Sequence, residues 1–348
     1  MNVTGRSPAQ QTLGTATGGA SSERGSHRGE AVLPGGIRAV RVAVCVATLQ
    51  RPLLLGALLE SLGTLEFRKR APVDLFIVVV DNDGNETARE VVEAARDRLP
   101  FPVVYTVEPT RGIPHARNRG VGVALREGAE FVAFIDDDEV ASPGWLDELL
   151  DVQHASGADV VSGPSLPRFA PEVEQWVIDG GFFTYPRYAT GESIPIAATN
   201  NVLVSARLFR DRPEPFDPAF GLSGMDDSHF FMRVKKEGAK LVWADEALVE
   251  EFIPASRARA RWIIRRAFRI GNGYVFCVRT LHPPHRWVVP RVAGALARIG
   301  YGALLLPVAA VQGRAPLVGA MRTISNGVGS LVALAGKRYQ EYTVIHGR

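Results

Sequence analysis

Cysteine is scarce in this sequence, which has only Cys45 and Cys277 in 348 residues. Two cysteines cannot form the disulfide framework of a small secreted protein. Both lie in apolar segments, so we expect buried thiols and a reducing compartment. Internal repeats of solenoid length and collagen-like or coiled-coil bias are also lacking. A composition that is 46% hydrophobic and 22% charged instead indicates a globular protein with one large domain or two smaller ones.

A strong charge of either sign is missing as well. Forty basic and 37 acidic residues leave a net charge of +3, too weak to indicate nucleic acid as a partner. Residues 1–38 are rich in Gly, Ser, Thr and Ala and lack hydrophobic periodicity, which predicts a disordered tail. This tail also lacks the apolar core of a secretory signal. The sequence therefore predicts a cytoplasmic protein.

Short apolar runs alternate with helical patterns from residue 41 onward. The runs at 42–47, 75–80, 103–107 and 131–135 are predicted strands, and the helices between them are expected over 53–65, 87–99 and 115–127. Continuous apolar strands that alternate with helices are typical of a mostly parallel sheet covered on both faces. In such α/β folds, ligands bind beyond the carboxyl ends of the strands. Residues 164–198, with several Pro, Gly and aromatic residues, are expected to form an irregular segment over a cleft.

The last third of the chain is first basic and then apolar. One predicted helix contains a cluster of six arginines on one half of its surface, which makes the helix basic and amphipathic: Arg257, Arg259, Arg261, Arg265, Arg266 and Arg269. The uncharged stretches at 299–313 and 323–336 are shorter than the roughly 20 residues that span a bilayer. We therefore expect a catalytic domain over 39–255 and a helical extension over 256–348 that contacts an anionic membrane surface.

Clustered carboxylates follow the fourth predicted strand. Asp136 and Asp138 are expected to point to the same side, because side chains alternate along an extended chain. Two such carboxylates form a hard oxygen site for Mg²⁺ or Mn²⁺. The cation would neutralise the charge that develops on a diphosphate leaving group. The alternative is a solvated acidic turn that caps the next helix.

Polar residues follow the other strands too. Asp81 and Asp83 come after the second strand, where an acidic side chain can accept hydrogen bonds from a base edge or a ribose; a plain turn is the alternative. Loops after the first and third strands add residues suited to close backbone approach or to phosphate binding: Thr48, Arg51, Gly112, Arg117 and Asn118.

An acidic pair, Asp226 and Asp227, lies at a predicted loop-to-helix boundary. A carboxylate there can remove the proton of an attacking hydroxyl, although simple capping of the helix is the alternative. His229, Glu250 and Glu251 are weaker candidates for a further metal ligand.

These segments, in this order, resemble family 2 glycosyltransferases with the GT-A fold. Residues 42–51, 78–83, 112–118 and 134–139 resemble the nucleotide-sugar half of that family. The acceptor half is similar to 199–203 and 224–233, and the post-catalytic segment of bacterial members to 251–272. The resemblance covers about residues 40–275. It implies a Rossmann-like, mixed and mostly parallel sheet, and inverting transfer of a sugar from a nucleoside-diphosphate donor to a hydroxyl acceptor. The basic and then apolar last third favours a lipid-linked glycan as that acceptor, with another envelope acceptor or a secondary metabolite as the alternative.

The resemblance also implies roles for individual residues. Asp81 would contact the base, Asp136 the ribose region and Asp138 the metal, with Asp137 and Asn200 among the substrate-binding residues. Asp227 matches the general base, and Asp226 stands where the family has Glu. The family often has His where this chain has Glu250 and Glu251, so a His ligand is not implied. The Gln-x-x-Arg-Trp pattern is incomplete because Ala258 precedes Arg261-Trp262, which favours transfer of a single sugar.

Two other functions are compatible with parts of the sequence. A nucleotidyltransferase also places carboxylates and a metal beside a nucleotide, but the segment after the first strand lacks a glycine-rich phosphate loop. A non-catalytic protein that binds anionic membranes or nucleic acid would use the arginine-rich helix. That function leaves the carboxylates at the strand ends unexplained. The metal-dependent glycosyltransferase at the inner face of the cell membrane accounts for both features.

Overall fold

The central sheet has seven strands. The computed structural model describes residues 38–70, 72–221 and 223–339, so the predicted tail lies, apart from Arg38, outside the described residues. The strands are β1 (Val40–Thr48), β2 (Val73–Asp81), β3 (Val103–Val107), β4 (Phe131–Ile135), β6 (Val160–Ser162), β8 (Asn201–Ser205) and β9 (Leu241–Trp243). Their order is β3-β2-β1-β4-β8-β6-β9, and β8 runs antiparallel to both neighbours, whereas the other neighbouring pairs are parallel. The predicted mixed, mostly parallel sheet is confirmed.

Apolar side chains are buried on both faces of this sheet. Val44 and Ile77 belong to the core on one face, and Cys45 and Val78 to the core on the other. The helices that cover the sheet are α1 (Pro52–Leu62), α2 (Arg89–Arg96), α3 (Ile113–Arg126), α4 (Trp145–Ser156) and α6 (Asp226–Lys236). Burial on both faces explains why the strands are continuous apolar runs rather than alternating ones.

A second sheet of three short strands lies beside the first. It consists of β5 (Glu139–Ala141), β10 (Val249–Ile253) and β7 (Ser165–Phe169), with β10 in the middle. The expectation of an irregular segment over 164–198 is therefore wrong at its start, where β7 and then α5 (Gln175–Asp179) form. The reason is non-local, because β7 pairs with a strand some 80 residues further along the chain. The register also places Glu251 opposite Glu139.

Three long helices complete the described chain: α7 (Ala260–Leu281), α8 (Pro284–Gln312) and α9 (Arg314–Leu334). Because α7 begins at Ala260, Arg257 and Arg259 precede it, and the expectation that all six arginines share one helix is wrong. Both α8 and α9 are long and apolar enough to cross a membrane by length and composition alone. The helix α8 extends well beyond the uncharged stretch that the sequence showed and contains Pro290 and Pro307.

Glycines set the spacing between these helices. A methyl group on Gly271 would overlap the carbonyl oxygen of Asn326, and one on Gly329 would overlap the carbonyl oxygen of Phe268. The absence of these side chains allows the backbones of α7 and α9 to approach closely. Gly302 has the same role between α8 and α9, where its added methyl would lie 2.9 Å from the carbonyl oxygen of Ala320. Small residues at helix contacts are common in membrane-associated bundles.

Candidate active site

Asp137, in the acidic segment that follows β4, is hydrogen-bonded to residues at the end of β1. Its buried carboxylate accepts a hydrogen bond from Thr48 Oγ1 at 2.8 Å and another from Arg51 Nη1 at 2.9 Å. Burial raises the pKa of Asp137 to about 6, although the Arg51 guanidinium favours the charged form. Burial alone would lower the pKa of Arg51, but the Asp137 and Asp138 carboxylates outweigh it and raise that pKa. The three predicted site residues are thus brought together, and they bind one another.

Asp138 lies between two guanidinium groups. Its Oδ2 atom is 3.3 Å from Arg51 Nη1 and 3.0 Å from Arg257 Nη2, and only 8% of its side chain is exposed. Arg257 Nη1 in turn lies 3.0 Å from Glu251 Oε1. Sequence reasoning did not find Arg257 as a site residue, because it is one of several arginines in a row and its spacing carries no signal. Glu251 belongs to this cluster.

Asp136 is the most open of the three consecutive aspartates. Water reaches 43% of its side chain, and its Oδ1 atom lies 3.7 Å from Arg117 Nη2. Its backbone N–H donates to Glu139 Oε2 at 3.0 Å. Desolvation in the cleft and the neighbouring carboxylates raise the pKa of Asp136, with Arg117 opposing. Burial, with help from Asp136 and Glu251, also raises the pKa of Glu139. The carboxyl groups at the end of β4 therefore lie close enough to disfavour one another's charged forms.

Arg117 connects this segment to the acidic pair of α6. Its Nη1 atom lies 2.7 Å from Asp226 Oδ2, with 11% of the Arg117 side chain and 1% of the Asp226 side chain exposed. Burial raises the pKa of Asp226, and the nearby Arg117 charge opposes this shift. Asp227 is more open, and its Oδ1 atom accepts the N–H of Ser228 at 2.6 Å. The structure thereby brings together two halves of the candidate site that lie about 90 residues apart in sequence.

The turn after β2 uses its own polar groups. The buried Asp81 carboxylate accepts from the N–H groups of Asp83 at 3.0 Å and Ala88 at 2.9 Å and from Tyr105 Oη at 2.9 Å. Burial is the main cause that raises the pKa of Asp81. Asp83 is also buried and accepts from the N–H of Asn85 at 3.2 Å. The turn that the sequence offered as the alternative for this segment is present. Contact of either aspartate with the nucleobase of a donor stays a prediction.

Asn82, which sequence reasoning did not assign to the site, holds the loop that leads to Arg117. Its Nδ2 atom donates to the carbonyl oxygens of Glu108 at 2.7 Å and Thr110 at 2.8 Å, and its Oδ1 atom accepts the N–H of Gly112 at 2.9 Å. Gly112 has φ 138°, a conformation that favours glycine, and is followed directly by α3. The Asp-Asn-Asp-Gly turn was the available signal for this residue.

The two asparagines among the predicted site residues have different surroundings. Asn118 exchanges two hydrogen bonds with the backbone of Phe216, at 2.7 and 2.9 Å, and so fixes a segment that leads to α6. Asn200 Nδ2 donates to Glu139 Oε1 at 3.3 Å, at the edge of the acidic cluster. Asn201, its neighbour, is fully buried and accepts from Trp145 Nε1 at 2.8 Å. Asn200 therefore contacts the acidic cluster directly, whereas Asn118 fixes the segment that leads to α6.

Two of the three weaker candidates, His229 and Glu250, lie apart from the cluster. His229 is buried and stacks on Phe220 with ring centroids 4.8 Å apart, and neither ring nitrogen has a hydrogen-bond partner among the described residues. Burial lowers the pKa of His229. Glu250 lies on the surface, 3.7 Å from Arg168 Nε. In the part of the chain that the structure describes, neither has a polar contact with the aspartates of the site.

A mixed sheet with acids at its strand ends and a second acidic pair at α6 defines the GT-A class of glycosyltransferases. A solved structure with this fold is the mannosyltransferase PcManGT from Pyrobaculum calidifontis, in complex with GDP-Man and Mn²⁺. It superposes with a TM-score of 0.57 at 19% identity and covers 90% of this chain and 92% of its own. The predicted fold class is confirmed.

Sequence comparison identifies the family. The model of glycosyl transferase family 2 matches residues 43–212. The succinoglycan biosynthesis protein ExoM of Rhizobium meliloti is 33% identical over 234 residues, which are 67% of this chain and 74% of ExoM. The glucosyl-dolichyl phosphate glucuronosyltransferase of Haloferax volcanii is 28% identical over 147 residues, 40% of this chain and 44% of that protein. The chain belongs to glycosyl transferase family 2, and the predicted enzyme class, a glycosyltransferase, is confirmed.

Proposed function

We propose that this protein transfers a single sugar from a nucleoside-diphosphate donor to a hydroxyl acceptor with inversion at the anomeric carbon. The observation that carries the proposal is the position of Arg117, which contacts Asp136 at the end of β4 and Asp226 at the start of α6. The Arg117 guanidinium thereby lies between Asp136, on the proposed donor side, and the acidic pair Asp226 and Asp227, which contains the candidate base. Family membership supplies the class of reaction.

Asp227 is the proposed general base. Its carboxylate has no guanidinium or ammonium nitrogen within 4 Å among the described residues, unlike that of Asp226, and it is partly open to solvent. An unpaired carboxylate can take the proton of the acceptor hydroxyl as the hydroxyl oxygen bonds to the anomeric carbon. The bond from that carbon to the diphosphate breaks, and the nucleoside diphosphate leaves with the electron pair. A direct displacement of this kind inverts the anomeric carbon.

A divalent cation fits the donor set of Asp136 and Asp138. Carboxylate oxygens are ligands that Mg²⁺ and Mn²⁺ prefer, and Mg²⁺ commonly uses one or two carboxylates together with substrate phosphates and water. Within residues 38–70, 72–221 and 223–339, three His, Cys, Asp or Glu side chains are nowhere arranged to hold a metal. The remaining ligands would therefore come from the diphosphate and water. When bound, the cation neutralises charge on the leaving diphosphate. The Mn²⁺ in the mannosyltransferase complex supports this assignment.

The donor would lie along the strand ends, with the base towards Asp81 and Asp83 and the ribose towards Asp136 and Asp137. For the acceptor, the relatives are named for succinoglycan biosynthesis and for a glucosyl-dolichyl phosphate, which supports a lipid-linked glycan. The helix α8 exposes large apolar side chains, including Leu304 at 77% and Val311 at 89%. Such a surface suits contact with lipid. We place the protein on the inner face of the cell membrane, with nucleic acid not expected as a partner.

Release of nucleoside diphosphate from a panel of donor sugars, with and without Mn²⁺, tests the proposal. Asp227→Asn is expected to lower kcat by about 10²–10⁴-fold with donor binding retained, whereas Asp138→Asn should lose metal-dependent donor binding. Asp97→Asn, at an exposed helix end, is the matched control. Full activity of Asp227→Asn would refute the assignment of Asp227 as the general base. Release of pyrophosphate would instead indicate a nucleotidyltransferase, and the anomeric configuration of the product, measured by NMR, tests inversion.

A further inference from the structure

A groove of about 760 Å³ lies among α5, α7, α8 and α9, outside the acidic cluster. We infer that this groove binds the phosphate or diphosphate group of a long-chain lipid, an inference that rests on the proposed function and names its acceptor class. Its walls include Phe182, Ala267 and Ile270, and two guanidinium groups, of Arg298 and Arg322, line the same space. An apolar wall beside two cations matches an amphiphile with an anionic head.

The two arginines are available for such a ligand. Both are exposed, and within the described chain neither has a carboxylate oxygen within 4 Å. Among the described residues, the hydrogen-bond partner of Arg298 Nη1 is the carbonyl oxygen of Gly294 in its own helix, at 3.2 Å. By contrast, Arg314 at the start of α9 is paired with Glu174. Planar guanidinium groups form paired hydrogen bonds with phosphate oxygens, so two of them around one space are well suited to a phosphate or diphosphate.

One acid also lines the groove. Asp179 accepts a hydrogen bond from Gln175 Nε2 at 2.9 Å, within α5. Among the described residues that line the groove, two guanidinium groups against one carboxylate give a net positive charge. The charge therefore favours an anionic ligand over a cationic or neutral one.

The surroundings of Arg298 suit a lipid chain. The 15 residues that follow it, 299–313, carry no charge, and they include the exposed Leu304 and Val311. Arginine side chains at the border of an apolar surface place their charged ends at the level of lipid headgroups. A ligand phosphate in the groove would thus have its hydrocarbon chain next to an uncharged helical surface.

The helix α7 contributes Ala267 and Ile270 to the groove and is preceded by Arg257, which contacts Asp138. Ala267 in the groove wall directly follows Arg266, whose guanidinium carbon lies 5.1 Å from the centre of the Trp262 ring. The positive charge of Arg266 acts on Glu251 in the acidic cluster, where it opposes the rise in pKa caused by burial. The same helix therefore connects the groove to the acidic cluster.

The test uses the full chain and three kinds of vesicle: neutral phosphatidylcholine alone, the same lipid with a small fraction of a polyprenyl diphosphate, and the same lipid with phosphatidylglycerol at equal charge. Co-flotation of the wild type is expected to be tightest with the diphosphate vesicles. The double variant Arg298→Gln/Arg322→Gln should lose about tenfold in affinity for these vesicles. The double variant Arg279→Gln/Arg286→Gln removes two exposed arginines outside the groove and should bind as the wild type does.

Two results would overturn the inference: unchanged diphosphate binding by Arg298→Gln/Arg322→Gln, or equal loss by this variant on phosphatidylglycerol vesicles, which indicates a general anionic surface. Thermal unfolding of each variant checks that the fold is intact. The catalytic variant Asp227→Asn separates the two proposals, because it should bind the diphosphate vesicles normally. Groove-dependent binding by a wild type that transfers no sugar would refute the proposed function and leave the site standing.

Discussion

Replacement of Arg117 by Met tests the ion pair that joins the two halves of the site. The variant keeps much of the length of the side chain and removes only its charge and donors. Because Arg117 and Asp226 are 11% and 1% exposed, the variant leaves an uncompensated carboxylate in a buried position. Removal of one partner from a buried pair typically costs about 3–5 kcal/mol in the free energy of unfolding. We expect that loss here, which in urea unfolding is a large shift of the midpoint.

The size of the effect should depend on Asp226. In an Asp226→Asn background, Arg117→Met leaves neither partner charged. The double variant is therefore expected to lose much less stability than the sum of the losses in the two single variants. Non-additivity of this kind isolates the pair from the packing of Arg117 against Phe216, whose ring centre is 5.9 Å from the guanidinium carbon. The rate at which nucleoside diphosphate is released from the donor should also fall in both single variants.

The pH dependence has a definite sign. Without Arg117, burial would raise the pKa of Asp226 further above its unfolded value, so the folded state binds the proton more tightly than the unfolded state does. The stability of Arg117→Met relative to the wild type should then be best in acid and fall as pH rises from about 4 towards neutrality. This slope should vanish in the Asp226→Asn background.

Arg119→Met in the same helix is the matched control. Arg119 is exposed, and within the described chain its side chain donates to Thr106 Oγ1 alone, at 3.0 Å. Its loss should therefore change the free energy of unfolding by no more than about 0.5 kcal/mol. Urea unfolding followed by circular dichroism measures the wild type and all four variants. An Arg117→Met variant as stable as Arg119→Met, or strictly additive single variants, would refute the argument.

Three further predictions concern stability. Gly329→Ala should lower the free energy of unfolding by about 1–3 kcal/mol, because its methyl group overlaps a carbonyl group of α7. Gly300→Ala, which has open space around it, should leave that free energy unchanged or raise it by up to about 1 kcal/mol. Equal thermal midpoints for the two variants would contradict this prediction. His229→Leu should resist acid better than the wild type, since the lowered pKa of His229 makes the wild type lose stability as pH falls below about 6.5; parallel pH profiles in urea would be the contrary result. The buried Asp147 accepts three backbone N–H groups of residues 68–70, each at 2.8 Å, so Asp147→Asn should speed tryptic cleavage of that loop, and an unchanged digestion rate would argue against this role.

The pattern of apolar residues along the chain predicted those strands whose formation depends on their own sequence. The four apolar runs became β1 to β4, because a strand buried on both faces must be apolar throughout. The ends of those strands located Asp81 and Asp136, since parallel strands present their carboxyl ends at one edge. The acidic pair expected at a loop-to-helix boundary forms the first two residues of α6, which begins at Asp226. There the backbone of Met225 adopts the left-handed conformation with φ 72°, which the sequence does not signal.

Pairings between distant residues could not be predicted. The contact of Arg117 with Asp226 joins residues 109 positions apart, and that of Arg257 with Asp138 depends on how the segment before α7 folds back. The strand β7 is short and gains its partner only when β10 is in place. In each case the sequence shows the chemical type of a residue, whereas its neighbour is decided by the packing of whole elements.

The helix α7 links the two ends of the proposed chemistry. Near its middle, Gly273 leaves room for the side chain of Met225, and Cys277 Sγ lies 3.6 Å from the carbonyl oxygen of that residue, directly before Asp226. Before its first turn, Arg257 contacts Asp138. A displacement of α7 would therefore move the acidic pair and the partner of the candidate metal ligand together. Since Gly329 of α9 packs against the backbone of α7, the C-terminal helices take part in setting the geometry of the site.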